Sequence, residues 1–192
     1  MKFLIRVGVL VLILLFLAAG SGFGQNTAKQ IYTKGVEYGV QGKFNEAKEE
    51  FQKALKVDPY FVYAKMALKL IEDAIDQKIK STTAIHLFKG IVYSNKGQWD
   101  ESIAESNKAI EINPGYAFAY NERGVAYCDK GQYDKAISDY NKAIEINPKL
   151  AVAYNNRGVA YCDKGQYDKA ISDYNKAIEI NPRYAKAYYN RG

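Results

Sequence analysis

The residues able to do covalent or metal chemistry are few in this chain. His86 is the single histidine, and Cys128 and Cys162 are the two cysteines. A zinc site needs three or four His, Cys or carboxylate ligands in one cluster, and no such spacing is present. A hydroxyl or thiol nucleophile needs a base and an orienting acid, and one histidine defines no such set. The cysteines occupy one position in successive copies of a repeat. Equivalent points on stacked helical units stand roughly a helix diameter apart, ~10 Å, beyond the ~7 Å reach of a disulfide. The glycines are spaced as turns and not as a phosphate-binding loop. The expectation is no catalytic residue, no metal and no cofactor.

Charge excludes one further class. The formal charge is +6, which on its own would suit a polyanion. Residues 117–150, however, balance five bases (Arg123, Lys130, Lys135, Lys142, Lys149) with five acids (Glu122, Asp129, Asp134, Asp139, Glu145). A nucleic-acid binder needs a coherent basic footprint. Interleaved signs make a solvated surface instead, so nucleic acid is not an expected partner.

These residues sit on elements set by a repeat. Residues 117–150 and 151–184 differ only at Phe118/Val152, Glu122/Asn156, Lys149/Arg183 and Leu150/Tyr184, so 30 of 34 positions are identical. Stepping back gives 83–116, with Gly90, Tyr93, Gly97, Trp99, Ala109 and Pro114 in pattern but Ser102 and Ser106 in place of Ala and Tyr. Residues 28–61 form a diverged copy, and 185–192 open a fifth that stops after Gly192. Between the first two copies, 62–82 carries Ala64, Leu68, Ile71, Ile75 and Ile79 at helical spacing. It reads as a spacer helix, or equally as a degenerate half repeat.

Each unit reads as a helix pair. Tyr120, Gly124 and Tyr127 share one face of a first helix. Gly131 is placed to end it in the left-handed conformation. Asp134 is a plausible N-cap for the second helix, whose buried stripe is Ala136, Tyr140, Ala143 and Ile144. Lys135, Ser138, Asp139 and Lys142 are expected to face water. Asn147-Pro148 closes the unit. Gly124 and Ala136 let the helices approach closely, and one pair cannot bury both of its apolar faces, so neighbours must stack.

Tyr154, Gly158, Tyr161, Ala170, Tyr174, Ala177 and Pro182 are similar to the pattern of the tetratricopeptide repeat, and the likeness covers about four units. The family favours Leu where this chain has Arg123, Arg157, Arg191, Lys34 and Lys89. Their aliphatic stems are expected to cover the groove while the charge reaches water. The resemblance implies an all-α, right-handed superhelical solenoid of antiparallel helix pairs. It also implies a concave groove that binds a protein or an extended peptide. The first helices would present Phe118, Asn121, Glu122, Val125, Cys128 and Asp129, then Val152, Asn155, Asn156, Val159, Cys162 and Asp163, then Lys186, Tyr189 and Asn190. Some members hold a carboxylate with a Lys–Asn clamp. Asn156 and Lys186 match two of its places, but Asn121, Val125 and Asn190 do not match the others, so no clamp is expected.

Residues 1–24 have the layout of a secretory signal. Lys2 and Arg6 precede the apolar run Val7–Ala19, and Gly20, Ser21, Gly22 and Gly24 follow. Cleavage before Gln25 would export the protein to the periplasm, cell surface or medium. An uncleaved membrane anchor is the alternative. The overall expectation is an exported, non-catalytic interaction scaffold. Two other readings are the front of a longer protein with a catalytic or membrane part, and a structural protein that self-associates through an uncapped C-terminal end bearing Tyr188 and Tyr189.

Overall fold

The computed structural model describes residues 27–192. The expected export signal at 1–24 lies outside the described residues. Every regular element described is an α-helix. Helix α1 covers 27–40. Then come α2 (Phe44–Val57), α3 (Val62–Ile75), α4 (Ser81–Asn95), α5 (Trp99–Ile112), α6 (Ala117–Asp129), α7 (Tyr133–Ile146), α8 (Ala151–Asp163), α9 (Tyr167–Ile180) and α10 (Ala185–Arg191). The pairs α4–α5, α6–α7 and α8–α9 pack most closely, and α5–α6, α7–α8 and α9–α10 join one pair to the next. This is the expected all-α solenoid of stacked helix pairs.

The turn inside each pair is set by one glycine. Gly131 has φ 72°, and Gly42, Gly97 and Gly165 repeat the conformation. The Gln132 N–H then donates to the Tyr127 carbonyl at 2.8 Å, closing the end of α6. Asp134 is not the N-cap. Helix α7 starts two residues earlier, at Tyr133 after Gln132, with no side-chain cap. Asp134 lies in the first turn, where the helix dipole favours an anion. It pairs with Lys164 of the next unit, as Asp100 pairs with Lys130.

Within a pair, a glycine on the first helix receives an aromatic ring from the second. A Cβ added at Gly35 would lie 2.5 Å from Phe51, at Gly124 2.7 Å from Tyr140, and at Gly158 2.6 Å from Tyr174. The α4–α5 pair departs from this because Ser106 stands where the ring would be. A Cβ at Gly90 meets nothing closer than 3.6 Å. The Ser106 hydroxyl is buried without a partner.

Arg123 and Asp139 correct two expectations at once. Asp139 does not face water; it is buried. Nor is the Arg123 charge simply solvated, for the side chain is half-buried and its donors are taken up within the fold. Its Nε and Nη2 donate to the two Asp139 oxygens at 2.8 and 2.7 Å, and its Nη1 donates to Asn107 Oδ1 at 2.7 Å. The guanidinium thus ties its own helix to the second helix of its unit and to the second helix of the unit before. Arg157 repeats the bond set with Asp173 at 2.7 and 2.7 Å and with Asn141 at 2.6 Å. Arg191 donates to Asn175 at 2.9 Å, and Lys34 to Glu50 at 3.4 Å. Tyr120 and Tyr154 lie under the guanidinium carbons of Arg123 and Arg157, each 5.5 Å from ring centre. The physical reason is geometric: the planar fork matches a carboxylate bidentately, and the buried aspartates need such a partner.

The helix expected through Ile79 stops at Ile75. Gln77 adopts φ 58°, and the Lys78 and Ile79 N–H groups turn back to the Asp73 carbonyl. Ile79 still enters the core, as a loop residue. Helix α3 packs on α2 and reaches across the later units. Val62 and Met66 pack against the cluster of Val152, Ala177, Tyr184 and Ala187. The Tyr116 hydroxyl donates to Asp73 Oδ2 at 3.3 Å.

Two stability measurements follow from this packing. Gly90→Ala is expected to raise stability by up to about 1 kcal/mol through helix propensity. Gly124→Ala is expected to lower it by roughly 1–3 kcal/mol, because the Tyr140 ring must move. Denaturant unfolding of both variants tests the contrast. Arg157→Met leaves the Asp173 carboxylate buried and unpaired, at a cost of roughly 2–4 kcal/mol. Adding Asp173→Asn should recover part of that loss. Equal midpoints for the single and double variants would count against the guanidinium bonds as the cause.

Candidate functional site

The first helices α4, α6, α8 and α10 supply one face of the solenoid, and the N-terminal helices lie over it. Helix α3 passes the starts of α6, α8 and α10. At its beginning the Arg183 Nη1 donates to the Tyr60 hydroxyl at 2.6 Å, and Lys186 Nζ donates to the Tyr63 hydroxyl at 3.3 Å. Helix α1 packs beside α4, with the Phe88 ring 2.5 Å from a Cβ added at Gly39. A cavity of about 780 Å³ remains between α1 and α3 on one side and α4, α6 and Lys186 on the other.

Among the residues expected on the groove, Phe118, Glu122, Val125, Asp129 and Lys186 are brought together on this cavity wall. Others are placed elsewhere. Val152 is buried against Met66 and Val62. Asn121, Asn155 and Asn156 are also buried, at 1%, 0% and 8% exposure. They are held by bonds between units and are not free to meet a partner, which corrects the expectation for these four. Asn190 is bonded to Asn155. Val159 is half-buried, while Asp163 and Tyr189 are exposed and do not line the cavity. Cys162 is exposed, and Cys128 is half-buried beside Tyr140, with burial pushing its thiol up to about 11. Lys29, Tyr32, Phe61, Tyr63 and Met66 complete the cavity. Lys29, Tyr32 and Phe61 belong to the diverged copy 28–61, while Tyr63 and Met66 lie on α3, outside the 34-residue pattern.

The buried asparagines form one directional chain of amides. Asn190 donates to Asn155 at 3.0 Å, and Asn155 donates to Asn156 at 3.3 Å. Asn156 donates to Asn121 at 3.2 Å, and Asn121 donates to Glu122 Oε1 at 3.1 Å. The chain runs from α10 through α8 to α6 and ends on a carboxylate at the cavity. Each amide polarises the next, so its N–H end favours negative charge on Glu122. Burial acts more strongly in the other direction. Desolvation pushes the Glu122 carboxyl up to about 7 against the Asn121 bond, with the nearby Asp129 charge adding to the rise. Asp129 is itself raised by burial, with Lys186 opposing.

A raised carboxyl destabilises the fold above its folded value, because there the folded state must hold a charge that the unfolded chain holds more easily. The effect vanishes below the ordinary carboxylate range, where both states are protonated. Glu122→Gln is therefore expected to stabilise the fold at about pH 8, by about 1–2 kcal/mol after allowing for cavity water, and so to raise the melting midpoint there. Below about pH 4.5 the difference should close. Thermal melts across that range test it, and a difference independent of pH would reject the assignment.

Tetratricopeptide-repeat profiles match residues 28–61, 83–116 and 151–184, and further profiles of the repeat match 106–138 and 124–162. No curated protein matches the chain at a significant level. Solved structures do resemble it. The first such domain of human RPAP3 is 26% identical, with a TM-score of 0.56 over 57% of this chain and 87% of that one. The Arabidopsis OM64 domain is 26% identical, with a TM-score of 0.54 over 57% of this chain and 90% of that one. The first such domain of Spaghetti (RPAP3), solved with the HSP90 peptide SRMEEVD, is 26% identical, with a TM-score of 0.55 over 57% and 87% of the two chains. Profile matches and backbone likeness point the same way: the chain belongs to the tetratricopeptide-repeat family.

Proposed function

We propose that this protein is a non-catalytic scaffold that binds an extended segment of another protein in the groove between its N-terminal helices and α6. The observation that carries this reading is the cavity itself. It brings apolar walls (Phe118, Val125, Met66) beside charged groups (Lys29, Glu122, Asp129, Lys186). At about 780 Å³ it accommodates a few side chains of a peptide and not a folded domain. A relative holding a peptide supports the same class of partner. The bonding of Asn121, Asn156 and Asn190 within the fold leaves no carboxylate clamp, so the peptide need not resemble that relative's. We further read residues 1–24 as the signal that exports the scaffold. A mature N-terminus at Gln25 in the exported fraction would support that assignment, and a retained Met1 would end it.

The groove is tested by selecting binders for the full described chain from a random peptide library. Binding by selected peptides is expected to fall at least about tenfold in Phe118→Ala and in Lys186→Glu, as central anchors and rim charges do. Tyr167→Ser, at an exposed site away from the groove, should leave it unchanged. Failure to select any peptide, or equal binding by all variants, would reject the reading.

A further inference from the structure

We infer that the cavity receives a basic side chain, a lysine or arginine of the bound peptide, whose cationic head pairs with Glu122 while its stem lies among the aromatic rings facing it. This rests on the peptide-binding reading above. The contrast is between Glu122, half-buried at the cavity wall, and the buried acids. Glu50 pairs with Lys34 and Lys53, Asp73 with Lys69, Glu105 with His86 and Lys108, Asp139 with Arg123, and Asp173 with Arg157. Among the described residues no cation pairs with Glu122, whose hydrogen bond comes from the neutral Asn121 amide at 3.1 Å. A partly desolvated carboxylate without a cation carries a cost, and the same site becomes favourable once a cation enters.

The cavity's own cations do not meet this need. Lys186 is engaged with the Tyr63 hydroxyl at 3.3 Å and eases the charge of Asp129. Lys29 is exposed on α1 and forms no ion pair among the described residues. The wall from the N-terminal helices is aromatic. The Tyr32 and Phe61 rings meet edge to face at 5.2 Å between centres, and Phe61 and Tyr63 at 6.2 Å. Tyr32 also feels the Glu122 charge, which adds to the rise of its phenol caused mainly by burial. Rings on one side and a carboxylate on the other suit a cation on an aliphatic stem better than an acid or a neutral amide. The amide chain behind Glu122 supplies donors already oriented toward the charge that such a cation would stabilise.

The experiment uses peptides selected against the described chain. They are expected to share lysine or arginine at one position. Replacing that residue by norleucine should weaken binding about tenfold or more. In Glu122→Gln, whose fold is verified by its melting curve, the lysine and norleucine peptides should bind alike. Affinity of the unaltered protein for the lysine peptide should fall as pH drops from about 8 to about 6, because Glu122 takes up a proton. The groups facing Glu122 are Lys29 and Tyr32 from α1, Tyr63 from α3, Asp129 from α6 and Lys186 from α10. Of these Asp129 is the one that could mimic the pH response, so Asp129→Asn is expected to retain it. Peptides that bind without a basic preference, or a preference that survives Glu122→Gln, overturn the inference and leave the groove reading intact. N-acetyl-lysine methylamide binding as tightly as the whole peptide would also overturn it, because the site would then be one for small amines. If no peptide binds, the groove reading fails first and takes this inference with it.

Discussion

A half-buried guanidinium bonded to a buried aspartate ties each unit to the one before it. Arg123 and Arg157 stand where an apolar residue would bury itself without help, and each must find a carboxylate on its own unit and an amide on the unit before. The buried aspartate charge is stable only when its partner arrives in geometry. The bond therefore fixes the spacing of three helices at once, which hydrophobic contact alone does loosely. The glycine–tyrosine contacts inside each pair and the lysine–aspartate pairs between successive turns then follow from a spacing already set.

One of the four positions at which the two nearly identical units differ gives them different places in the polar line between units. Asn156 donates a hydrogen bond to Asn121 of the unit before, while Glu122, its counterpart, ends the chain of amides. Among the described residues the polar line between units thus has a direction and a charged end at the cavity. The N-terminal helices make that end a cavity and not an open face. They are tied down by Tyr60 and Tyr63 to residues 123 positions further along the chain.

Much of the fold was readable from the sequence because Gly, aromatic, Ala and Pro recur at fixed offsets, and each has a local cause. Asp139 was less readable. Its charge suggested solvent, and the signal for burial lay in pairs: Arg123 with Asp139, Arg157 with Asp173, and Lys34 with Glu50 all keep one offset. The buried asparagines were misread for a similar reason, since a groove-facing register does not reveal that the next unit takes up the amide. The position of α3 could not be derived from periodicity. Its contacts with Val152 and Tyr184 are long-range, although Val62 and Met66 lying off its main apolar stripe hinted at a second covered side.

The arginine bonds also bear on how such a protein changes length. Each set joins one unit to the unit before by the same offset, so inserting a whole copy of residues 117–150 beside itself would supply every donor with an acceptor and strand none. An insertion of any other length would part the guanidinium from its aspartate or from its asparagine. Unequal recombination between near-identical stretches produces whole-copy changes by preference. The folded state filters for the same class of event, so gain or loss of complete units is the mutational step this architecture tolerates best.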